Sequence, residues 1–214
     1  MVIINSKCKY FVNVQMTMEK EELQNFLINV GRVMVQENGT EALTVRKLAE
    51  ASHCSVGAIY NQFSNMENYA IVQNCITLDE LYSALKQVQR THNVFVDMNN
   101  YVQAFVDYVL DNKNLWYMLY VFHLKHSKRG YSYFYLRKVV RITRIVAELL
   151  EDATPRVEIP ERLLSAQVLW LTMFSLSALL TKDILDSFSR INRRNLCEIV
   201  VNTFVAGLTV LENK

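Results

Sequence analysis

Apolar residues recur along this chain at intervals of three and four, which is the spacing of one face of an α-helix. Glycine and proline, which most often interrupt helices, number five and two in 214 residues. We find no convincing hairpin signal between the periodic segments. The pattern therefore predicts an all-α fold of about nine helices.

Caps and breakers place the predicted helices along the chain. The first spans about 19–38, and Thr44 and Ser55 are N-caps of two short helices that a turn at 52–54 separates. The spacing of Ser64 and Glu67 matches a capping box, which predicts a fourth helix over about 65–90. Later helices are predicted over about 97–111, 113–126 and 131–152. A polar linker at 153–160 follows, and after it a strongly apolar helix and a last helix over about 191–212.

Apolar stripes predict which side of each helix is buried. The stripe on the first helix is Leu23, Phe26, Leu27, Val30 and Met34. The stripe on the 131–152 helix is Leu136, Val139, Val140, Thr143 and Val146. The helix after the linker is apolar on two faces, namely Leu163, Ala166, Trp170, Met173, Ser177 and Leu180, and Leu164, Val168, Leu171, Ser175 and Ala178. The last helix carries Leu196, Val200, Thr203, Gly207 and Val210. These two helices form either half of an intersubunit bundle or part of an intramolecular core.

Charge and cysteine usage narrow the function classes. The net charge is only +2, so binding to nucleic acid or membrane must be local. The four cysteines form no CxxC pair, which favours a reducing compartment and predicts a cytoplasmic protein. The apolar run at 168–180 is shorter than the roughly 20 residues that span a bilayer, so we expect no membrane. Residues 1–18 lack the order of a secretory signal and are interpreted as an extension or arm.

The segment TVRKLAEASHCSVGAIYNQFSNMENY, residues 44–69, has the form of a helix-turn-helix, whose second helix can lie in the DNA major groove. Gly57 permits close approach to DNA, Tyr60 can donate to a phosphate, and Asn61 and Gln62 can read an adenine edge, although a solvated surface is the alternative for the last two. The capped helix N-termini point at anions. The candidate DNA-binding residues are Thr44, Arg46, Lys47, Ser55, Val56, Gly57, Ala58, Tyr60, Asn61 and Gln62.

Residues 20–75 resemble the DNA-binding domain of the tetracycline-repressor (TetR) family. The resemblance is carried by Gly39, Thr44, Leu48, Ala49 and the tract Ser55-x-Gly57-x-Ile59-Tyr60-x-x-Phe63-x-Asn65. It implies a helix-turn-helix DNA-binding domain at 19–66 and an effector-binding and dimerisation domain at 67–214. It also implies a homodimeric transcriptional repressor that a small-molecule effector releases from a pseudo-palindromic double-stranded DNA operator.

The chain departs from the family pattern in its charge. Met66 stands where the family usually has a phosphate-contacting Lys, and residues 20–70 contain four basic residues, among them Arg32, against six acidic ones. We therefore expect weak non-specific DNA affinity, supplemented by Lys7 and Lys9 of the arm. The alternative function is a ligand-binding or protein-interaction module of the same fold that has lost sequence-specific DNA binding.

Aromatic residues of the second half suit an apolar or planar ligand, although ordinary core packing is the alternative. The candidate ligand contacts are Tyr101, Phe105, Trp116, Tyr120, Tyr133, Phe134 and Trp170. Between Asn112 and Ala147 there are eight Lys or Arg and no acid. This basic stretch is a solvated face, a site for an anionic effector such as a carboxylate or an acyl thioester, or a second contact with DNA or membrane.

Motifs for other chemistry are missing from the sequence. It contains no GxSxG elbow, P-loop, HExxH or dinucleotide fingerprint, so we expect neither an enzyme nor a cofactor. His123 and His126 have no nearby Cys or carboxylate to complete a metal shell, so we expect no metal. Cys54, beside the second short helix, is either a redox-sensitive thiol or a small apolar residue that fills the turn.

Overall fold

The structure is a computed structural model that describes residues 20–125, 133–151, 154–181 and 193–212. The predicted arm at 1–18, with Lys7 and Lys9, lies outside the described residues, and so does His126. Within the described ranges the chain forms nine α-helices, a single 3-10 turn at Thr40–Ala42 and no strand, which confirms the predicted fold class. The helices are α1 (Lys20–Asn38), α2 (Val45–Ser52), α3 (Val56–Phe63), α4 (Met66–Lys86), α5 (Val94–Asp111), α6 (Lys113–Lys125), α7 (Tyr133–Glu151), α8 (Ile159–Thr181) and α9 (Arg193–Glu212).

The predicted capping box at the start of α4 is wrong. Asn65 provides the side-chain contact at this terminus, because its Oδ1 accepts a hydrogen bond from the Asn68 N–H at 2.8 Å. Ser64 instead ends α3 with a φ of 66°, and its N–H donates to the Tyr60 carbonyl. Ser64 therefore ends α3 and Asn65 caps α4, so two residues connect the helices.

The α4–α5 loop is organised by Asp97 rather than by a longer α4. Asp97 accepts hydrogen bonds from the Thr91 N–H (2.7 Å), the Thr91 hydroxyl (2.6 Å) and the His92 N–H (3.1 Å). Burial raises the pKa of Asp97, but these hydrogen bonds and the nearby Arg90 charge outweigh it and lower the pKa below its usual value. The loop N–H groups therefore bind a carboxylate, and α4 stops at Lys86 instead of continuing to about residue 90.

The described chain divides into two compact units, the first ending at Asn74 and the second beginning at Cys75. In the first, α1 packs on α2 and α3, and its buried positions include Leu27 and Val35. The predicted stripe on α1 was partly wrong, since Leu23, Phe26, Val30 and Met34 are only half-buried. The buried face instead includes Ile28, Gly31 and Arg32, because the first turns of α4 make hydrogen bonds to it.

A polar network joins α1 to the first turns of α4. The Tyr69 hydroxyl donates to the Leu27 carbonyl at 2.8 Å, and Gln73 Nε2 donates to the Ile28 carbonyl at 2.8 Å. Burial raises the pKa of Tyr69 to about 12. A Cβ at Gly31 would lie 1.8 Å from the Tyr69 hydroxyl oxygen, so glycine is required there by a close approach and not by backbone conformation. The network joins residues more than 40 positions apart, so no local pattern in the sequence indicates it.

In the second unit, α5 packs against α7, α8 and α9. The predicted stripe of α7 holds for Thr143 and Val146, which are buried, but Leu136 and Val140 are exposed. The helix buries Tyr135, Ile142, Leu149 and Leu150 instead. Two overlapping apolar stripes share α7, and Lys138 and Arg141 pair with Asp79 of α4.

The helices α8 and α9 are each covered on one face only within the described structure. On α8, Ala166, Trp170, Met173 and Ser177 are buried, whereas the second apolar face, with Leu164, Val168 and Leu171, is exposed. On α9 the buried positions are Cys197, Val201, Val205 and Leu208, so the predicted stripe lies mainly outside the core. One described helical segment, Ile159–Leu179, is long and apolar enough to cross a membrane, with mean hydropathy 1.3, but core helices of proteins outside membranes share these properties.

Candidate nucleic-acid interface and ligand site

The helix-turn-helix is built by two N-caps and a left-handed turn residue. The Lys47 N–H donates to the Thr44 hydroxyl at 3.3 Å, and the Ala58 N–H donates to the Ser55 hydroxyl at 3.1 Å. His53 ends α2 with a φ of 54°, and the Cys54 N–H then donates to the Ala49 carbonyl at 3.0 Å. Both predicted caps are confirmed, and His53 and Cys54 connect α2 to the cap of α3.

One face of α3 belongs to the core of the first unit. Ile59 and Phe63 are buried there, and Leu48 is fully buried on α2. The Phe63 ring meets the Tyr69 ring edge to face, with centroids 4.7 Å apart. This packing fixes the rotation of α3 and therefore decides which of its side chains face away from the core.

The side chains on the other face of α3 are open to solvent. Val56 and Tyr60 are exposed by 36% and 41%, although both side chains are large and hydrophobic. Asn61 is exposed too, as are the N-terminal residues Thr44, Arg46, Lys47, Ser55 and Gly57. Eight of the ten candidate DNA-binding residues therefore share the exposed surface around the N-termini and outer face of the two short helices.

Gly57 has no structural need of its own within the first unit. A Cβ added to it would meet only the Ser55 hydroxyl oxygen, at 3.7 Å, which is an ordinary van der Waals distance. A helical glycine costs about 1 kcal/mol of stability relative to alanine. The packing of the first unit therefore does not explain the absence of a side chain at this exposed position.

Two candidate residues differ from the rest in exposure. Ala58 is half-buried, and Gln62 is half-buried with a buried Oε1 that has no hydrogen-bond partner in the described structure. The Gln62 carbonyl thus faces inward, whereas the exposed Asn61 presents its amide to solvent. Arg32, counted with the basic residues of this segment, is buried and donates to the Gln73 carbonyl at 3.2 Å, which removes it from the surface.

The aromatic candidates of the second unit separate into different places. Phe105, Trp116 and Trp170 are buried in edge-to-face contact, with centroids 5.3–6.4 Å apart, and the half-buried Tyr120 lies 5.5 Å from Phe174 of the same cluster. Tyr101 is buried beside a separate cavity of about 120 Å³. Tyr133 and Phe134 are exposed at the start of α7 and line a groove.

Polar groups are embedded in the aromatic cluster, and no local pattern in the sequence indicates how they pair. The Trp116 indole N–H donates to the Ser177 hydroxyl at 2.6 Å. The Tyr135 hydroxyl lies 3.2 Å from the His123 ring nitrogens, and burial lowers the pKa of His123. His123 therefore belongs to a neutral hydrogen-bonded core, and no group of three metal-ligating side chains occurs in the described part of the chain.

Cys54 is half-buried in the turn, where its thiol lies 3.6 Å from the Ser52 carbonyl. The Ser52 hydroxyl in turn donates to the Leu48 carbonyl at 2.6 Å. These contacts place Cys54 in the local packing of the turn, which is the structural interpretation offered for it above.

The fold and this exposed surface together define an all-α protein with an N-terminal helix-turn-helix unit. Residues 27–68 match the family model "Bacterial regulatory proteins, tetR family". The resemblance to the TetR family is therefore confirmed for the N-terminal segment, and solved structures extend the likeness to the fold of the whole chain. No curated protein matches the sequence.

Three solved structures illustrate that fold. A TetR-family transcriptional regulator from Streptomyces coelicolor is similar with a TM-score of 0.66 and 15% identity, over 91% of this chain and 83% of that one. BioQ, solved with its double-stranded DNA operator, has a TM-score of 0.63 and 13% identity, over 90% and 98% of the two chains. The fatty acid degradation regulator FadR from Bacillus halodurans has a TM-score of 0.61 and 15% identity, over 85% and 94%.

Proposed function

We propose that this protein is a sequence-specific DNA-binding transcriptional regulator that acts as a repressor. The observation that carries the proposal is the outer face of α3, where Gly57 is open to solvent and no part of the first unit requires a glycine. Exposed Tyr60 and Asn61 flank this opening on the next turn. A helix that has no side chain at Gly57 and carries a phenol and an amide one turn later suits a major groove.

The capped N-termini supply the positioning contacts in this proposal. The first turns of α2 and α3 direct free N–H groups outward, where phosphate oxygens accept hydrogen bonds. Arg46 and Lys47 are exposed on α2, so they add cations beside those N–H groups. With Arg32 buried, such cations are few, and affinity for random DNA is accordingly low.

The uncovered faces of α8 and α9 support the proposal of a homodimer. Val168 and Leu171 on α8 are exposed by 50% and 61%, and a Cβ at Gly207 on α9 would meet nothing within 4 Å. Large exposed apolar side chains support an interface, and a twofold dimer uses the same surface on both subunits. Two copies of α3 would then read adjacent major-groove segments of a pseudo-palindromic operator in the cytoplasm.

A small apolar or anionic effector in the second unit would release the operator. The groove at Phe134 offers a site for its apolar part. A coupling free energy of about 1–3 kcal/mol between effector and operator suffices for control.

Selection of binding sites from fragments of the source genome tests the proposal. Purified protein at low salt should enrich a palindromic site, and Tyr60→Ala should abolish the enrichment. Phe95→Ala is the matched control, since Phe95 is an exposed aromatic residue on α5 in the other unit. Enrichment that survives Tyr60→Ala would contradict the role given to α3.

The alternative function is a ligand-binding module that has lost DNA binding. Two observations favour it, namely Met66 at the start of α4 and the burial of Arg32, which leave the first unit with an excess of acidic residues. If folded, dimeric protein and its Tyr60 variant both enrich nothing, this alternative replaces the regulator.

A further inference from the structure

A groove that combines cations with apolar side chains runs along α7. Its volume is about 780 Å³, and the described residues that line it all belong to this helix. Tyr133 and Phe134 at one end are exposed by 78% and 60%, and Leu136 and Val140 continue the apolar lining. Large exposed apolar groups in one patch mark a binding surface, because solvation alone does not favour them.

Four cations line the same groove: Arg137, Lys138, Arg141 and Arg144. The Arg137 guanidinium lies 5.8 Å from the centre of the Tyr133 ring, and the Lys138 ammonium lies 4.7 Å from that of Phe134. Each cation is therefore held against an aromatic ring of the groove. An anion that carries an apolar body would contact both kinds of group at once.

One carboxylate of the protein already uses this cation set. Asp79 of α4 accepts from Lys138 Nζ and from Arg141 Nη2, each at 2.5 Å. The Arg141 guanidinium also stacks on the Tyr82 ring at 3.8 Å, and its Nε is buried with no hydrogen-bond partner in the described structure. The two cations are thus positioned for a carboxylate, and one donor remains that Asp79 does not satisfy.

We propose that the α7 groove binds an amphipathic carboxylate, a hydrocarbon chain with one terminal carboxylate, which competes with Asp79 for Lys138 and Arg141. The chain lies against Phe134, which is on the same side of α7 as Lys138 and Arg141. Binding separates α7 from the carboxylate of α4, a helix that contributes residues to both compact units. The claim that this carboxylate is the effector rests on the proposed function. The claim that the groove binds it does not.

Calorimetric titration without DNA tests the site. Sodium decanoate should bind at least about tenfold more tightly than 1-decanol of the same chain length, because charge-assisted hydrogen bonds fix its headgroup. Arg141→Gln should weaken decanoate binding by about tenfold, whereas Lys113→Gln, outside the groove, should leave it unchanged. Asp79→Asn should strengthen it by about two- to fivefold, since it removes a competitor in a partly exposed ion pair.

Equal affinity for decanoate and 1-decanol, or unchanged affinity in Arg141→Gln, would overturn the proposal. If Arg141→Gln fails to fold, Asp79→Asn still decides, because a loss of affinity there would exclude competition. The effector role is then measured on a selected operator. Release by a neutral apolar compound and not by decanoate would overturn this inference and leave the regulator intact, whereas decanoate binding without any operator would overturn the regulator and leave the site.

Discussion

Gly57→Ala separates what the fold needs from what DNA binding needs. The new methyl group would lie 3.7 Å from the Ser55 hydroxyl oxygen, so it introduces no clash within the protein. Alanine is about 1 kcal/mol more favourable than glycine inside a helix, which should raise the melting temperature by about 2–4 °C for a chain of this size. The same methyl group projects from the outer face of α3, so operator affinity should fall at least about tenfold, or about 1.4 kcal/mol.

Two assays on one preparation check this prediction. Circular dichroism melting gives the stability, and fluorescence anisotropy with a labelled operator gives the affinity. Asn29→Ala is the matched control, since Asn29 is an exposed position in the middle of α1 where alanine also improves helix propensity. The reasoning is refuted if Gly57→Ala binds operator as tightly as the unmodified protein, or if it melts at a lower temperature.

Three further predictions concern the supporting structure. Gly31→Ala should destabilise the first unit by about 2 kcal/mol or more in denaturant unfolding, since its Cβ would overlap the Tyr69 hydroxyl, and added Tyr69→Phe should restore part of the loss; an unchanged midpoint would exclude the close approach. The lowered pKa of Asp97 contributes stability that is complete above the usual Asp pKa of about 4 and is lost as the pH falls through the lower folded value. Asp97→Asn should therefore cost about 1–2 kcal/mol at pH 7 and flatten the acid limb of the stability profile, and an acid limb as steep as before would refute this. Leu171→Glu should give monomers in sedimentation experiments while Asn29→Glu, exposed on α1 of the first unit, should not, and dimers in both would remove α8 from the interface.

Local sequence signals accounted for the elements that local contacts determine. The caps at Thr44 and Ser55 were predicted because a side-chain oxygen and an N–H three residues later decide them. Ser64 failed because its spacing to Glu67 satisfied the same rule, while the structure uses Ser64 to end α3 and Asn65 to open α4. Two adjacent polar residues offered both roles, and spacing alone does not separate them.

Long-range partners decided what the sequence left open. Periodicity identified α7 as a helix but could not choose between its two apolar stripes, because the packing of α7 against α5 and α8 decides which stripe is buried. The buried position of Arg32 likewise depends on Gln73, far along the chain. The outer face of α3 was predicted in most of its residues, because the apolar spacing of Ile59 and Phe63 fixes which side faces inward.

The central claim is that the outer face of α3 lies in a major groove. The most direct measurement places a photo-cross-linking amino acid at Asn61, with position 29 of α1 as the control, and maps cross-links on a selected operator. The account predicts cross-links from position 61 to bases in both half-sites and none from position 29. Cross-links from position 29 alone, or none from position 61 in protein that binds the operator, would contradict it.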